Sequence, residues 1–169
     1  MRYRDHVYGL GCALLVIVSL AAASATAAED PVLERLATCR DSWLDWKKAN
    51  SPQLTSFAEH FQTAFTRDDN DPFFKPKSSL SIDGLRILQL YPDSVGMGVG
   101  FSVLVDATFD KTRGIFEKSL GKPLKRCETG DGMRTCDLEL GEMRTFTLMA
   151  EDSPKSTSTL VGCYYYYEK

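Results

Sequence analysis

Apolar residues first recur at helical spacing just after Asp30-Pro31, a pair with the chemistry of a helix start: aspartate as N-cap and proline in the first turn. Val32, Leu36, Cys39, Trp43 and Trp46 follow at spacings of four, three, four and three. The spacing predicts one amphipathic helix carrying Cys39 on its apolar side. Asn50-Ser51-Pro52 ends that helix and caps a second, whose stripe is Leu54, Phe57, Ala58, Phe61, Ala64 and Phe65. Two one-sided helices joined by a tight turn make a helical hairpin that must cover an apolar surface.

Thr66 to Ser79 reads as a loop, and beyond it the period changes from helical to two. Leu80 to Tyr91 is an expected strand, ended by the turn signal Pro92-Asp93-Ser94. Next, Val95, Met97, Val99, Phe101, Val103 and Val105 alternate with Gly96, Gly98, Gly100, Ser102, Leu104 and Asp106. A third helix is expected from a cap at Asp110 through Ile115, Phe116 and Leu120, stopped by Gly121 and Pro123. Four antiparallel strands follow, near Leu124–Thr129, Met133–Leu140, Arg144–Ala150 and Thr159–Tyr167. The expected class is α+β, an N-terminal helical hairpin plus one further helix packed on one face of a mainly antiparallel sheet.

The first stretch does not belong to that pattern. Arg2 and Arg4 form a basic n-region, Leu10 to Leu20 an apolar core, and Ala25-Thr26-Ala27 a small-residue cleavage site. Residues 1–27 are expected to be a cleaved signal peptide with a bacterial, periplasmic or secreted address, and residues 28–169 a single domain. The competing reading is a retained anchor, since no charge occurs from Val7 to Ala28. Cys12 precedes the apolar core, whereas a lipidated cysteine would follow it. Removing residues 1–27 takes out two arginines, one aspartate, His6 and Cys12, leaving 142 residues at a charge of −4 with one histidine and four cysteines. That charge excludes a counterion-releasing stripe for nucleic acid, and no lysine or arginine cluster suits acidic lipid. No integral span is expected after cleavage.

An exported chain with four cysteines is expected to be disulfide-bonded. Gly130-Asp131-Gly132-Met133 is a two-residue hairpin signal with Asp131-Gly132 in a type I′ turn. Counting outward from Gly130 opposite Met133 places Cys127 opposite Cys136 at a non-hydrogen-bonded site, where α-carbons approach to about 4.5 Å. By elimination Cys39 pairs with Cys163. Four cysteines as metal ligands would need C-x-x-C spacing, which is absent, so no metal or cofactor is expected.

Catalytic signals are sparse. His60, the only histidine after the leader, sits at the edge of the second helix's apolar stripe, and no nucleophile elbow accompanies it. Gly96-Met97-Gly98-Val99-Gly100 lies inside an alternating strand and opens no helix, so it is not a phosphate loop. The run Asp68-Asp69-Asn70-Asp71 lacks the glycine and terminal glutamate of a calcium loop.

Binding signals are stronger. If Cys163 faces the helices, Val161, Tyr165 and Tyr167 do so too, and Leu160, Tyr164 and Tyr166 lie on the opposite face. There the column Gly96, Gly98, Gly100, Ser102 leaves room either for tyrosines lying flat on the glycines or for a partner on a tyrosine-rich platform. Phe73 and Phe74 are further candidate anchors on their loop. The helix, Leu120-Gly121-Lys122-Pro123 and hairpin between residues 110 and 140 resemble modules of bacterial envelope-assembly lipoproteins and of β-lactamase-inhibitor-like proteins, a stretch too short to assign a family. That resemblance implies a non-enzymatic, protein-binding role, and the lack of a lipidated cysteine departs from the lipoproteins. The expected function is a non-catalytic module binding a basic protein partner in the cell envelope, of the inhibitor or immunity type. The alternatives are a carrier of a glycan or lipid, and a hydrolase using carboxylates or His60.

Overall fold

In a computed structural model, which describes residues 27–49, 52–92, 94–95, 98–141 and 143–165, Asp30 starts the first helix by the expected chemistry. Its Oδ1 accepts the N–H groups of Val32 and Leu33 at 3.1 Å each, with Pro31 in the first turn. The expected leader, Ala27 excepted, lies outside the described residues, as do Tyr166 and Tyr167.

In chain order the elements are β1 (Ala28–Glu29), α1 (Pro31–Ala37), α2 (Trp43–Ala49), α3 (Pro52–Ala64), β2 (Phe65–Thr66), β3 (Lys75–Pro76), β4 (Leu80–Ile82), β5 (Leu85–Tyr91), β6 (Ser94–Val95), β7 (Gly98–Val105), α4 (Phe109–Leu120), β8 (Arg126–Gly130), β9 (Met133–Gly141), β10 (Arg144–Glu151) and β11 (Thr159–Tyr165). Nine strands form one sheet in the order β1-β4-β5-β7-β11-β10-β9-β8, with β6 paired to β7. All its pairings are antiparallel except β1 with β4. The protein is thus α+β, with four helices among the described residues, and none of its described helices is long and apolar enough to cross a membrane.

The expected first helix is two short ones. Cys39 sits at φ 58°, and the chain turns around it: Arg40 N–H donates to Arg35 O at 2.8 Å and Cys39 N–H to Leu36 O at 3.3 Å. This is a Schellman end with cysteine where glycine is usual. Cys39 is held there by its disulfide to Cys163, with α-carbons 5.1 Å apart. Within α1 the buried side is Leu33, Leu36 and Ala37 while Val32 is exposed, so the apolar face lies one residue off the expected stripe. Residues 50 and 51, where the expected hairpin turn falls, lie outside the described residues.

Other boundaries shift for local reasons. The expected strand from Leu80 to Tyr91 is a hairpin, because Asp83 and Gly84 both adopt positive φ and reverse the chain between β4 and β5. The long alternating strand likewise divides into β6 and β7, which pair antiparallel. Thr108 rather than Asp110 holds the N-cap position of helix α4, without a capping side-chain bond, and Asp110 occupies the first turn and accepts from Arg134 at 2.9 Å. Gly121, at φ 64°, ends it as expected. The β8–β9 register matches the sequence reading residue for residue, with Gly130 opposite Met133 and Cys127 opposite Cys136, whose α-carbons are 4.1 Å apart in a disulfide.

The core lies between the helices and one sheet face. Phe101, Val103 and Val105 of β7 stand beside Cys163 and Val161 of β11, and these beside Phe146 and Leu148 of β10. Trp43 and Phe57 from α2 and α3 meet Phe101 with ring centres 5.6 and 5.9 Å away, and Phe116 of α4 meets Phe146 at 5.5 Å. Tyr165 points the same way and closes the start of α2, its hydroxyl accepting Trp43 N–H at 2.9 Å and donating to Asp41 O at 3.4 Å. That burial raises the phenol's pKa above its ordinary value.

Candidate partner-binding face

Alternation along the strands sends the intervening residues to the other side of the sheet. Register aligns Tyr91 with Ser102 and Gly162 along one row, and Leu104, Leu160 and Met149 along the next. A β-bulge between Ile87 and Gln89 lets Ile87 and Leu90 both face the core while Tyr91 faces away from it.

The glycine column is partly roofed from within the sheet. A methyl group built on Gly100 would lie 2.9 Å from Cδ1 of Tyr164, and one on Gly162 would lie 3.0 Å from its Cε2. Tyr164 therefore lies flat across both glycines and is only 6% exposed. Of the expected anchors on this face, Leu160 is 9% exposed, and Tyr166 lies outside the described residues.

Beyond the tyrosine the face opens into a groove of about 270 Å³, lined chiefly by Tyr91, Leu104, Met133, Met149 and Leu160. Phe73 packs beside Tyr91, its ring centre 5.7 Å from that of Tyr91. Burial, with the nearby Asp71 carboxylate adding to it, pushes the Tyr91 phenol up, and its hydroxyl donates to Gln89 Oε1 at 2.6 Å. Phe74 goes the other way. Its backbone bridges to Leu90 and its ring packs edge-on against Phe61 of α3 at 4.5 Å, joining the core. The two adjacent phenylalanines thus divide between the two faces, as successive residues of an extended segment must.

Charge on this face is one-sided. Cys127 and Cys136 turn toward the helices, so Arg126, Glu128, Asp137 and Glu139 project from the uncovered side, and Glu151 lines the groove. Arg126 pairs with Glu139. Arg86 and Asp106 project from the same side and pair with each other, so two arginines stand against five carboxylates along these strands, and of these charged groups only Glu151 lines the groove.

A second cleft, about 440 Å³, lies among the helices between Val32, Trp46, Phe57 and His60. His60 Nε2 is 2.8 Å from Asp30 Oδ2, so a single carboxylate caps α1 with one oxygen and holds α3 with the other. His60 is here a tie between helices, at the solvent edge. No cluster of His, Cys, Asp and Glu suited to a metal occurs among the described residues.

Leu160, Tyr164 and Phe73 are thus brought to one side of the sheet, and Phe74 is not. Tyr91, Leu104, Met133 and Met149 were missed by the sequence reading. Leu104 was legible as the apolar exception in the Gly/Ser column of β7. The others needed the strand order, which places β5, β7, β11 and β10 side by side. No protein-family model matches the chain, and comparison with curated proteins and with solved structures finds no match either.

Proposed function

We propose that this protein is an exported, non-catalytic protein-binding module that grips a basic partner in the bacterial cell envelope, in the manner of an inhibitor or immunity protein. One observation carries the reading: an apolar groove with Glu151 at its edge, on the sheet face that the described helices leave uncovered and along which carboxylates outnumber arginines. Half-buried Tyr91, Leu104 and the two methionines form a floor that adapts to an incoming side chain, while the carboxylates steer a cationic surface toward it. The two disulfides hold the sheet in its bound shape beforehand, which lowers the ordering cost of association. In this reading α2 and α3 form the hairpin that backs the sheet, and residues 1–27 are removed on export.

A carrier of a glycan or lipid is the second reading. The groove's volume of about 270 Å³ falls below the usual small-molecule range of ~300–1,000 Å³ and suits one or two inserted side chains better. Affinity capture from the envelope fraction with wild type and with Tyr91→Ala/Met149→Glu distinguishes them. The module reading expects a discrete protein held by wild type, lost with the double variant and released by salt. A small molecule co-purifying in native mass spectrometry, or capture unchanged by the double variant, refutes it.

A further inference from the structure

The sheet ends at β8, which has β9 on one side and no strand on the other among the described residues. All five of its residues are exposed. Because Asp131-Gly132 makes a two-residue turn, Gly130 and Met133 are a hydrogen-bonded pair, and hydrogen-bonded and open pairs alternate from there. Arg126, Glu128 and Gly130 therefore turn their backbone groups to β9. Those of Cys127 and Thr129 point away from the sheet, a row of donors and acceptors ready to pair with another strand. The Cys127–Cys136 disulfide anchors this edge near its start, so the strand is already ordered when a partner arrives.

We propose that β8 is a self-association edge, pairing antiparallel with β8 of a second copy of this chain so that the two sheets become one. The charge pattern selects the partner and the register. With Cys127 on the two-fold axis, Arg126 of each copy stands opposite Glu128 of the other, giving two reciprocal pairs of opposite charge. Outward backbone groups then meet at Cys127 opposite Cys127, and in the dimer Lys125, which precedes β8, extends the ladder to meet Thr129. The neighbouring registers compatible with the same hydrogen bonding are one step to either side. One sets Arg126 against Arg126 and the other Glu128 against Glu128, so like charges reject both. Of these three alignments, only the one centred on Cys127 sets opposite charges against each other. This surface is the sheet's edge rather than its uncovered face, and it stands independently of the partner-binding reading.

Sedimentation equilibrium of the purified, disulfide-bonded protein tests it, alongside hydrogen exchange. Wild type is expected to dimerise, more weakly as salt rises. Glu128→Arg turns both attractive pairs into repulsive ones and is expected to weaken the dimer roughly tenfold. Arg126→Glu/Glu128→Arg reverses both charges in each copy, recreates the pairs and should restore association, although it also changes the pairing with Glu139 within the monomer. The amides of Cys127 and Thr129 should become protected as concentration rises, while that of Glu128, bonded to β9, stays protected throughout. A monomer at every concentration up to the millimolar range overturns the proposal. So does a dimer indifferent to Glu128→Arg, a double reversal no tighter than the single, or exchange at Cys127 and Thr129 that ignores concentration.

Discussion

Gly100→Ala and Gly114→Ala make the same chemical change in opposite surroundings, and they are expected to move stability in opposite directions. A methyl group on Gly100 would lie 2.6 Å from the carbonyl oxygen of Cys163 on the adjacent strand and 2.9 Å from the Tyr164 ring, inside the 3.0 Å that real Cβ atoms respect. The ring can swing aside, but the carbonyl belongs to the β7–β11 ladder at the centre of the sheet. Relief requires those strands to part. Overpacking of this kind costs about 1–3 kcal/mol, offset by the ~0.4–1 kcal/mol that alanine gains by narrowing the unfolded ensemble. The net expectation is a loss of roughly 1–2 kcal/mol. Gly114 lies on the exposed side of α4 with nothing within 4 Å of the added methyl, so alanine there gains about 0.5–1 kcal/mol of helix stability. Urea unfolding read by circular dichroism, at an m-value of ~1–3 kcal/mol/M, should lower the midpoint for Gly100→Ala by about 0.5–1 M and raise it for Gly114→Ala by a few tenths. A Gly100→Ala midpoint at or above wild type with m unchanged would falsify the close approach of β7 and β11 and the flat tyrosine that depends on it.

The disulfides should differ in proportion to the loops they close: at sequence separations of 124 and 9, alanine replacement of Cys39 and Cys163 is expected to cost about 4–5 kcal/mol, and of Cys127 and Cys136 about 2–3 kcal/mol, by urea titration. Equal losses would contradict the loop-closure account. Asp30→Ala removes the cap on α1 and the partner of His60 together and should lose ~1–2 kcal/mol, more than His60→Ala, whose ring is 45% exposed; the reverse order would refute the double role of that carboxylate. Glu117 accepts Leu124 N–H and the Arg113 guanidinium, each at 2.9 Å, and these hold its carboxyl below the ordinary range. A depressed carboxyl contributes stability above its unfolded pKa of about 4.3 and loses it as pH falls through the lower folded value. Glu117→Gln should therefore flatten the acid limb of the stability–pH curve, and parallel curves for variant and wild type would remove this carboxyl from acid sensitivity.

Local chemistry was readable wherever it acts alone. The Asp30-Pro31 start, the Gly121 stop and the Asp131-Gly132 turn each involve a few consecutive residues whose backbone preferences agree with the fold. From that turn the pairing of Cys127 with Cys136 followed by counting, because an antiparallel ladder carries its register outward from the loop. Asp83-Gly84 is the same kind of signal, passed over because the flanking apolar residues read as one continuous strand. The break at Cys39 had no local signal. A cysteine at positive φ is tolerated because a residue far along the chain bonds to it, and the cost falls on a contact invisible from either neighbourhood.

The amino-acid sequence by itself determined the class of fold, the strands from Arg126 to Tyr165 and which of their residues share a face, since period and turn chemistry are short-range properties. Only the tertiary structure decided what that sharing means. Strand order sets Tyr91, Leu104, Leu160 and Met149 side by side across four strands, and close backbone approach lays Tyr164 across two glycines instead of presenting it to a partner. It likewise leaves β8 at the end of the sheet with its backbone turned outward. Each of these depends on which distant segments become neighbours, and that is settled by the burial of one common core and by a disulfide spanning 124 residues of sequence.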